Sequence, residues 1–290
     1  MKVTGFTFVR NALKFDYPVV ESILSILPIC DDFVVSVGNS DDDTLSLIKN
    51  IESPKIRIVE SVWDDTLREG GKVLSIETNK SLNKVSEDTD WAFYIQADEV
   101  VHENDLDTIY DEMKKWKDTA EVDGLLFKYR HFYGSYDYTG DSVRWYRREI
   151  RTIKPRRNIY SYGDAQGFRK NDDEKLNVKL INAYINHYGW VKHPRHMQNK
   201  QETFNKLWHD DKWLDDNIIK AEEFDFSNID SLTLFDGTHP NVMEERIKKV
   251  NWKFSHDISI KKLSLKNTIR RYIEKKTGWR PGEYKNYRLV

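Results

Sequence analysis

Hydrophobic and polar residues follow two different periods along the first half of the chain. Short apolar runs, which are typical of buried strands, alternate with segments whose apolar residues recur every three to four positions, as in amphipathic helices. The predicted strands are residues 3–9, 33–37, 56–59 and 91–95. The predicted helices are residues 17–27, 44–51, 70–85 and 103–116. This order predicts an α/β fold with a mixed, mainly parallel sheet and helices on both faces.

The pattern changes in the second half of the chain. Residues 124–130, 143–153 and 178–187 are typical of strands with few helices between them, which predicts an antiparallel edge on the sheet. From about residue 198 the pattern becomes helical again. We therefore predict an α/β domain over residues 1–215 and a helical, basic C-terminal extension over residues 216–290.

The basic character of the extension is concentrated at residues 261–290, where ten Lys and Arg residues are opposed by only Glu274 and Glu283. One interpretation is a basic amphipathic element that rests on an anionic membrane. The other is a solvated helix that packs on the α/β domain.

The composition of the chain argues against several classes of protein. The formal net charge of -2 over 290 residues gives no general attraction to nucleic acid. Cys30 is the only cysteine, which rules out an intrachain disulfide and fits a reducing compartment. No apolar run reaches the length of a membrane span, and residues 1–8 are typical of a strand and not of a signal peptide. We predict a cytoplasmic protein that contacts, at most, the inner face of a membrane.

Residues 91–99 carry the strongest functional signal, because an apolar strand ends there in Gln96, Ala97, Asp98 and Glu99. Ligands of open α/β sheets bind outside the carboxyl ends of the strands. Carboxylates at such an end suit Mg²⁺ or Mn²⁺ carrying a phosphorylated ligand. The alternative is an acidic, solvated loop.

Two polar turns follow the first two strands. Asn39 and Asp42 could accept hydrogen bonds from a ribose or a base, or they could only cap the next helix. Arg10 and Asn11 close the first strand, where Arg could contact a phosphate and Asn a base edge. A simple strand-end turn is the alternative for this pair.

Two later segments add candidates for chemistry. His187 ends a predicted strand and could complete an acidic metal site, although a lone histidine is more often an ordinary core or surface residue. Asp164 lies in a Gly-Asp loop flanked by aromatic residues, which suits either a catalytic loop or a plain turn.

In their order and spacing, these segments resemble the family 2-like glycosyltransferases of the GT-A fold over roughly residues 1–215. Residues 34–44 are similar to the family's nucleotide-binding strand and acidic loop, and residues 94–99 look like its Asp-x-Asp segment. Asn79 resembles a common Asn of the family, and His187 stands where many GT-A enzymes place a late metal ligand.

The resemblance implies a nucleotide-sugar donor, a divalent cation (Mn²⁺ or Mg²⁺) on its diphosphate, inversion at the anomeric carbon, and a glycan or lipid-linked acceptor in surface-glycan assembly. Asp98 and His187 would hold the cation. Asp164 would be the catalytic base, with Glu99, Asp210 and Asp211 as rivals. The residues expected to contact the donor are Arg10, Asn11, Asn39, Asp42, Asn79, Gln96 and Asp98.

The chain departs from the family pattern at two positions. Gln96 replaces the first Asp of Asp-x-Asp, and Gly38 stands where the family often has Asp. Three arginines could compensate by neutralising phosphate, namely Arg147, Arg148 and Arg169. Three tryptophans could form an acceptor face, namely Trp190, Trp208 and Trp213. A non-catalytic homologue that binds nucleotide sugars or carbohydrate and a nucleotidyltransferase are the alternative functions.

Overall fold

The computed structural model describes residues 1–155, 158–218 and 220–290. The strands are β1 (Val3–Val9), β2 (Asp32–Gly38), β3 (Ile56–Ser61), β4 (Trp91–Tyr94), β5 (Glu99–Val101), β6 (Gly124–Tyr133), β7 (Ser135–Gly140), β8 (Arg148–Ile153), β9 (Ile159–Tyr162), β10 (Gly167–Lys170), β11 (Glu174–Trp190), β12 (Leu232–Leu234) and β13 (Tyr287–Leu289). The α-helices are α1 (Val19–Ile26), α2 (Thr44–Lys49), α3 (Lys72–Leu82), α4 (Leu106–Trp116), α5 (Pro194–Phe204), α6 (Asp211–Asn217), α7 (Glu244–Lys248) and α8 (Leu265–Thr277).

All of these strands belong to one sheet whose main path is β3-β2-β1-β4-β8-β6-β11-β10-β9. The first four strands of this path are parallel. Strand β8 is antiparallel to both of its neighbours, whereas β6 and β11 run parallel to each other. The mixed sheet flanked by helices confirms the fold class that the sequence predicts.

The two faces of the sheet form separate cores because alternate strand residues point to opposite sides. On one face, Val3, Phe33 and Phe93 pack with apolar residues of α1, α2 and α4. On the other face, Phe6 and Tyr94 pack with the end of α3 and with the strands of the second half. The continuous apolar runs of β2 and β4 thus reflect burial on both faces.

Strand β11 joins the two halves of the molecule. It pairs with β6, β10, β13 and β5, and its pairing with β5 sets His187 opposite Glu99. The late histidine and the segment after β4 therefore lie side by side, although they are far apart in the sequence.

The region predicted as a helical extension also contributes two short strands. Strand β12 pairs with β7, and β13 pairs with β11. The division of the chain at residue 215 stays a prediction. Among the described residues, no helix combines the length and the apolar character needed to cross a bilayer.

Candidate active site

A cavity of about 710 Å³ opens beyond the carboxyl ends of β1, β4 and β11. Its volume is in the range of small-molecule sites in proteins. One side is aromatic, with Trp63, Trp190 and Trp208 among its residues. The cationic side chains that line it are Arg10, Lys14, Arg68, Arg144, Lys200 and Lys206, and the carboxylates are Asp41, Asp65, Asp98 and Asp164. This surplus of positive charge suits an anionic ligand.

Asp98 is the most strongly perturbed carboxylate of this cavity. Its Oδ2 lies 3.7 Å from His187 Nε2 and 3.5 Å from Lys200 Nζ. Burial by itself would raise the pKa of Asp98, but its electrostatic interactions with His187, Lys200 and Lys192 lower it to about 2. Asp98 is therefore ionised at neutral pH, beside Lys200 and His187 in the cavity.

The histidine and the two lysines around Asp98 are themselves buried. Burial lowers the pKa of His187, against the opposing effect of Asp98, so the ring is mainly neutral at pH 7. Burial also lowers the pKa of Lys200, and it lowers the pKa of Lys192 to about 7. Lys200 donates to the Gly189 carbonyl at 3.1 Å, and Lys192 donates to the Phe15 carbonyl at 2.7 Å.

Gly189 makes the approach of Asp98 to His187 possible. A Cβ atom at this position would lie 2.5 Å from Asp98 Oδ2 and 2.6 Å from His187 Cε1. Any larger residue would have to displace one of these groups. The glycine after His187 and Tyr188 is thus part of the site, although the sequence pattern did not single it out.

Asp98 and His187 fit a divalent cation that takes its remaining ligands from a bound molecule. One carboxylate oxygen and one neutral imidazole nitrogen suit Mn²⁺, and Mg²⁺ commonly uses one or two carboxylates together with phosphates and water. Among the described residues, no cluster of three or more His, Cys, Asp or Glu side chains forms a complete cage. A cation here would need the phosphates of a ligand.

Glu99, in contrast, is directed into the core. It begins β5, and its side chain and that of Arg151 are both fully buried. Arg151 donates to the two carboxylate oxygens at 2.7 and 2.8 Å, and the Tyr129 hydroxyl donates at 2.7 Å. The backbone N–H of Gln96 donates to the same carboxylate at 3.1 Å. Glu99 thus fixes the turn that presents Asp98.

Arg10 and Asn11 lie at the rim of the cavity, as predicted. Asn11 adopts a left-handed conformation with a φ of 57°, and its Oδ1 accepts a hydrogen bond from the Asp41 backbone N–H at 2.8 Å. Arg10 pairs with Asp65 and donates to the Asn39 carbonyl at 3.0 Å. The two residues therefore join the loops after β1, β2 and β3.

Three of the residues predicted to contact the donor form side-chain hydrogen bonds within the protein. Asn39 accepts a hydrogen bond from the Trp63 backbone N–H at 3.0 Å. Asp42 accepts from the backbone N–H groups of Thr44 and Lys14, so it holds the start of α2. Asn79 both donates to and accepts from the backbone of Ser161, which clamps β9 onto α3.

Asp164 is exposed and lines the cavity from the loop between β9 and β10. Gln96 also lines the cavity, and its amide donates to the Ala165 carbonyl at 3.3 Å. The residue that replaces the first Asp of the family pattern therefore ties the loop of Asp164 to the end of β4.

Of the other residues predicted to contact the acceptor or to act as the base, some line the cavity and others form contacts within the protein. Trp190 and Trp208 line the cavity, while Trp213 stacks on His209 with ring centroids 3.5 Å apart. Asp210 caps α6, and Asp211 pairs with Arg68.

The three arginines proposed to neutralise phosphate contact the C-terminal segment instead. Arg147 pairs with Glu283 and Glu274, and Arg169 donates to the Asn286 carbonyl. Arg148 interacts electrostatically with Tyr287, against the burial that raises the pKa of that hydroxyl. The cations that do line the cavity come from other elements.

Lys200 is the main residue that the sequence did not reveal. It lies in α5, within the sequence His196-Met197-Gln198-Asn199-Lys200, where no motif distinguishes it from a surface lysine. Only the packing of α5 against the end of β11 directs its ammonium group toward Asp98.

No family model matches this sequence, and no curated protein matches it either. Among solved structures, the fold is similar to that of Staphylococcus aureus TarS, with a TM-score of 0.41 and 14% identity, covering 77% of this chain and 41% of that chain. A 4-diphosphocytidyl-2C-methyl-D-erythritol synthase from Anaerococcus prevotii gives a TM-score of 0.38 and 12% identity, covering 66% of this chain and 91% of that chain. Glucosyl-3-phosphoglycerate synthase from Mycobacterium tuberculosis, in complex with Mn²⁺, UDP and phosphoglyceric acid, gives a TM-score of 0.30 and 20% identity, covering 45% of this chain and 43% of that chain. At such TM-scores, the likeness says nothing about activity.

Proposed function

We propose that this protein is an inverting glycosyltransferase that moves a sugar from a nucleotide-sugar donor to a hydroxyl of a glycan or lipid-linked acceptor. The observation that carries the proposal is the convergence of Asp98, His187 and Lys200 on the floor of a cation-rich, aromatic-walled cavity. A diphosphate needs such a charged floor, while a base and a sugar need flat apolar walls.

The donor's diphosphate would lie near Lys200 and the rim cations Arg10 and Lys14. Departure of the nucleoside diphosphate leaves negative charge on its terminal phosphate, and fixed positive groups stabilise that charge. A Mn²⁺ or Mg²⁺ ion held by Asp98 and His187 would neutralise further charge on the same phosphates. The ion has only two protein ligands, so nucleotide and metal should bind more tightly together than alone.

Asp164 is the proposed base. Inversion requires one group to take the proton of the attacking hydroxyl, and Asp164 is an exposed carboxylate on the loop facing the cavity. Asp98 is held by cations, and Glu99 is buried against Arg151, so neither is as free to accept a proton. Trp190 and Trp208 supply aromatic surfaces for the acceptor.

The first experiment measures donor binding by calorimetry with UDP-, GDP-, dTDP- and CMP-sugars, each with and without Mn²⁺. We expect one nucleotide class to bind, and the binding to strengthen with Mn²⁺. Lys200→Met should weaken binding by tenfold or more, on the order of one lost charge-assisted hydrogen bond. Equally weak binding of all four classes of nucleotide sugar would contradict the proposal.

The second experiment tests the base. Asp164→Asn should lower kcat by about 10²–10⁴-fold and leave the donor Kd unchanged. Asp172→Asn is the matched control, because Asp172 lies in the turn between β10 and β11. An unchanged kcat in Asp164→Asn would remove Asp164 from the chemistry.

Product analysis separates the alternative functions. A glycosyltransferase releases a nucleoside diphosphate from a UDP-, GDP- or dTDP-sugar and CMP from a CMP-sugar, whereas a nucleotidyltransferase releases pyrophosphate from a nucleoside triphosphate. A binding homologue would show saturable donor binding with no release of nucleotide, whatever acceptor is offered.

A further inference from the structure

Helix α8 presents its apolar residues to the solvent. Leu265, Ile269 and Tyr272 recur at intervals of four and three residues, so they share one face of the helix. Their exposed fractions are 78%, 51% and 63%, and Trp279, just beyond the helix, is 59% exposed. A row of large exposed apolar side chains of this kind marks an interaction surface more often than a scattered exposed residue does.

The opposite face of α8 is charged and packs on the protein. Arg271 pairs with Asp141, and Lys275 lies 3.4 Å from the same carboxylate. Glu274 accepts hydrogen bonds from Arg280 at 2.6 Å and from Arg147 at 3.2 Å. Leu265, Ile269 and Tyr272 are thus more exposed than Arg271 and Glu274, whereas an ordinary surface helix turns its apolar face to the core.

The charge around the apolar face is positive. Lys266 and Lys276 are exposed on α8 beside the apolar residues. The acidic residues of this region, Glu274 and Glu283, are both occupied by arginine side chains. An apolar row bordered by exposed lysines and ending in a tryptophan matches the boundary between the headgroups and acyl chains of an anionic bilayer.

We infer that the outward face of α8, together with Trp279, docks on the surface of an anionic lipid bilayer. Leu265, Ile269, Tyr272 and Trp279 enter the boundary layer, and the lysines contact anionic headgroups. A second copy of the chain fits this face less well. In a two-fold dimer, each copy would set Lys266 and Lys276 against the same residues of its partner.

Docking in this way would bring the active site near the membrane. A smaller cavity of about 400 Å³ lies under α8, lined by Arg271, Glu274 and Lys275. It shares the wall residues His131, Trp145 and Tyr146 with the main cavity. If the proposed glycosyltransferase function holds, the acceptor reaches the site from the bilayer. The docking itself does not depend on that function.

Vesicle sedimentation tests the inference on the full chain, without donor or metal. Wild type should sediment with vesicles of phosphatidylglycerol and phosphatidylcholine but not with pure phosphatidylcholine, and added salt should release it. Ile269→Ser with Tyr272→Ser should weaken binding by tenfold or more. Lys266→Glu with Lys276→Glu should weaken it by at least about fivefold for each charge.

The control variant is Leu234→Ser, which removes an exposed leucine, 53% accessible, from strand β12. It should sediment as wild type does, and thermal unfolding should show that all variants are folded. Absence of wild-type binding to anionic vesicles at low salt would overturn the inference, as would equal binding by the Ile269→Ser, Tyr272→Ser variant. A stable dimer that this variant disrupts would assign the surface to a second copy.

A separate variant distinguishes this inference from the proposed function. Asp98→Asn should lose donor binding and still sediment with anionic vesicles as wild type does. Loss of vesicle binding in this variant would mean that the cavity, and not α8, contacts lipid.

Discussion

Asp98 and Glu99 are adjacent in the sequence, yet their surroundings are opposite. The Glu99 carboxylate is fully buried and meets one arginine and one tyrosine in closely matched hydrogen bonds. The Asp98 carboxylate lines the open cavity, where it lies 3.5 Å from the Lys200 ammonium without the matched hydrogen bonds that Glu99 has. From this difference we infer that a buried charge with a matched partner stabilises the fold. Charged groups at an open cavity without a matched partner can instead bind a charged ligand.

We expect the buried cluster around Glu99 to govern the free energy of unfolding and the cluster around Asp98 to govern donor binding.

Glu99→Gln should be the most damaging substitution. It leaves the Arg151 guanidinium buried without its counter-charge, and breaking a buried ion pair in this way costs about 3–5 kcal/mol. Urea unfolding at neutral pH measures the loss. The double variant Glu99→Met, Arg151→Met should recover much of it, because neither member of the ion pair is then left buried without its partner. A loss below about 1 kcal/mol in the single variant would contradict the assigned role of the pair.

Glu149 is also buried, but the groups that donate hydrogen bonds to it within the described part of the chain are neutral amides. Gln166 and Asn286 donate to its two oxygens at 2.7 and 2.9 Å. Burial, only partly opposed by Arg151 and these amides, raises the pKa of Glu149 from 4.5 to about 7. Between these two pH values, Glu149 therefore binds a proton when the protein folds. This contribution to stability is complete below pH 4.5 and is lost as the pH rises to about 7, a change of about 3 kcal/mol.

Urea titrations on both sides of that interval measure this effect. Glu149→Gln should remove this part of the pH dependence and should unfold at a higher urea concentration than wild type above neutral pH. The same pH dependence in both proteins would show that Glu149 is not its source.

Gly189→Ala should affect stability and binding together. The added methyl group overlaps Asp98 and His187, and such overpacking costs about 1–3 kcal/mol. We expect donor affinity to fall by at least tenfold, because the two groups must move apart. Gly163→Ala is a useful control for the backbone, since its Cβ would meet no atom within 4 Å, although its φ of +57° adds strain.

Asp98→Asn should change binding most, and it should change stability less than the loss of Glu99 does. Its side chain is 14% exposed, and the fall of its pKa from 3.8 to about 2 corresponds to about 2 kcal/mol of stability at neutral pH. Metal-dependent donor binding should disappear in calorimetry, while the free energy of unfolding measured in urea falls by no more than about that amount. Unchanged donor binding would place the charged floor of the site elsewhere.

Much of this arrangement could be predicted from local sequence patterns. The strands and helices of the first half lie within a few residues of their predicted ends, because apolar runs there alternate with amphipathic ones. Asp98, His187, Asp164 and Gln96 line one cavity, and Gln96 and Asp98 lie just beyond the carboxyl end of a parallel strand, where ligands of such sheets bind.

Other features depend on contacts that no local pattern encodes. Strand β5 has only three residues and is defined by its pairing with β11. Lys200 lies on a polar helix, and its role follows from how that helix packs. Asn39 looks like a ligand contact because it is polar and close to a strand end, and Asn79 because it resembles a common Asn of the family. Backbone groups of Trp63 and Ser161 take up hydrogen bonds of these two side chains instead.

The pairing of β5 with β11 also has a consequence for the order of folding. Strands β1 to β4 all lie within residues 3–94, so the connections between them are shorter than the loop that must close before His187 reaches Glu99. We therefore expect Asp98 and His187 to meet late, after the parallel half has formed. A folding intermediate that holds that half alone would show native secondary structure and no affinity for a donor, so recovery of ligand binding should lag behind recovery of circular dichroism during refolding.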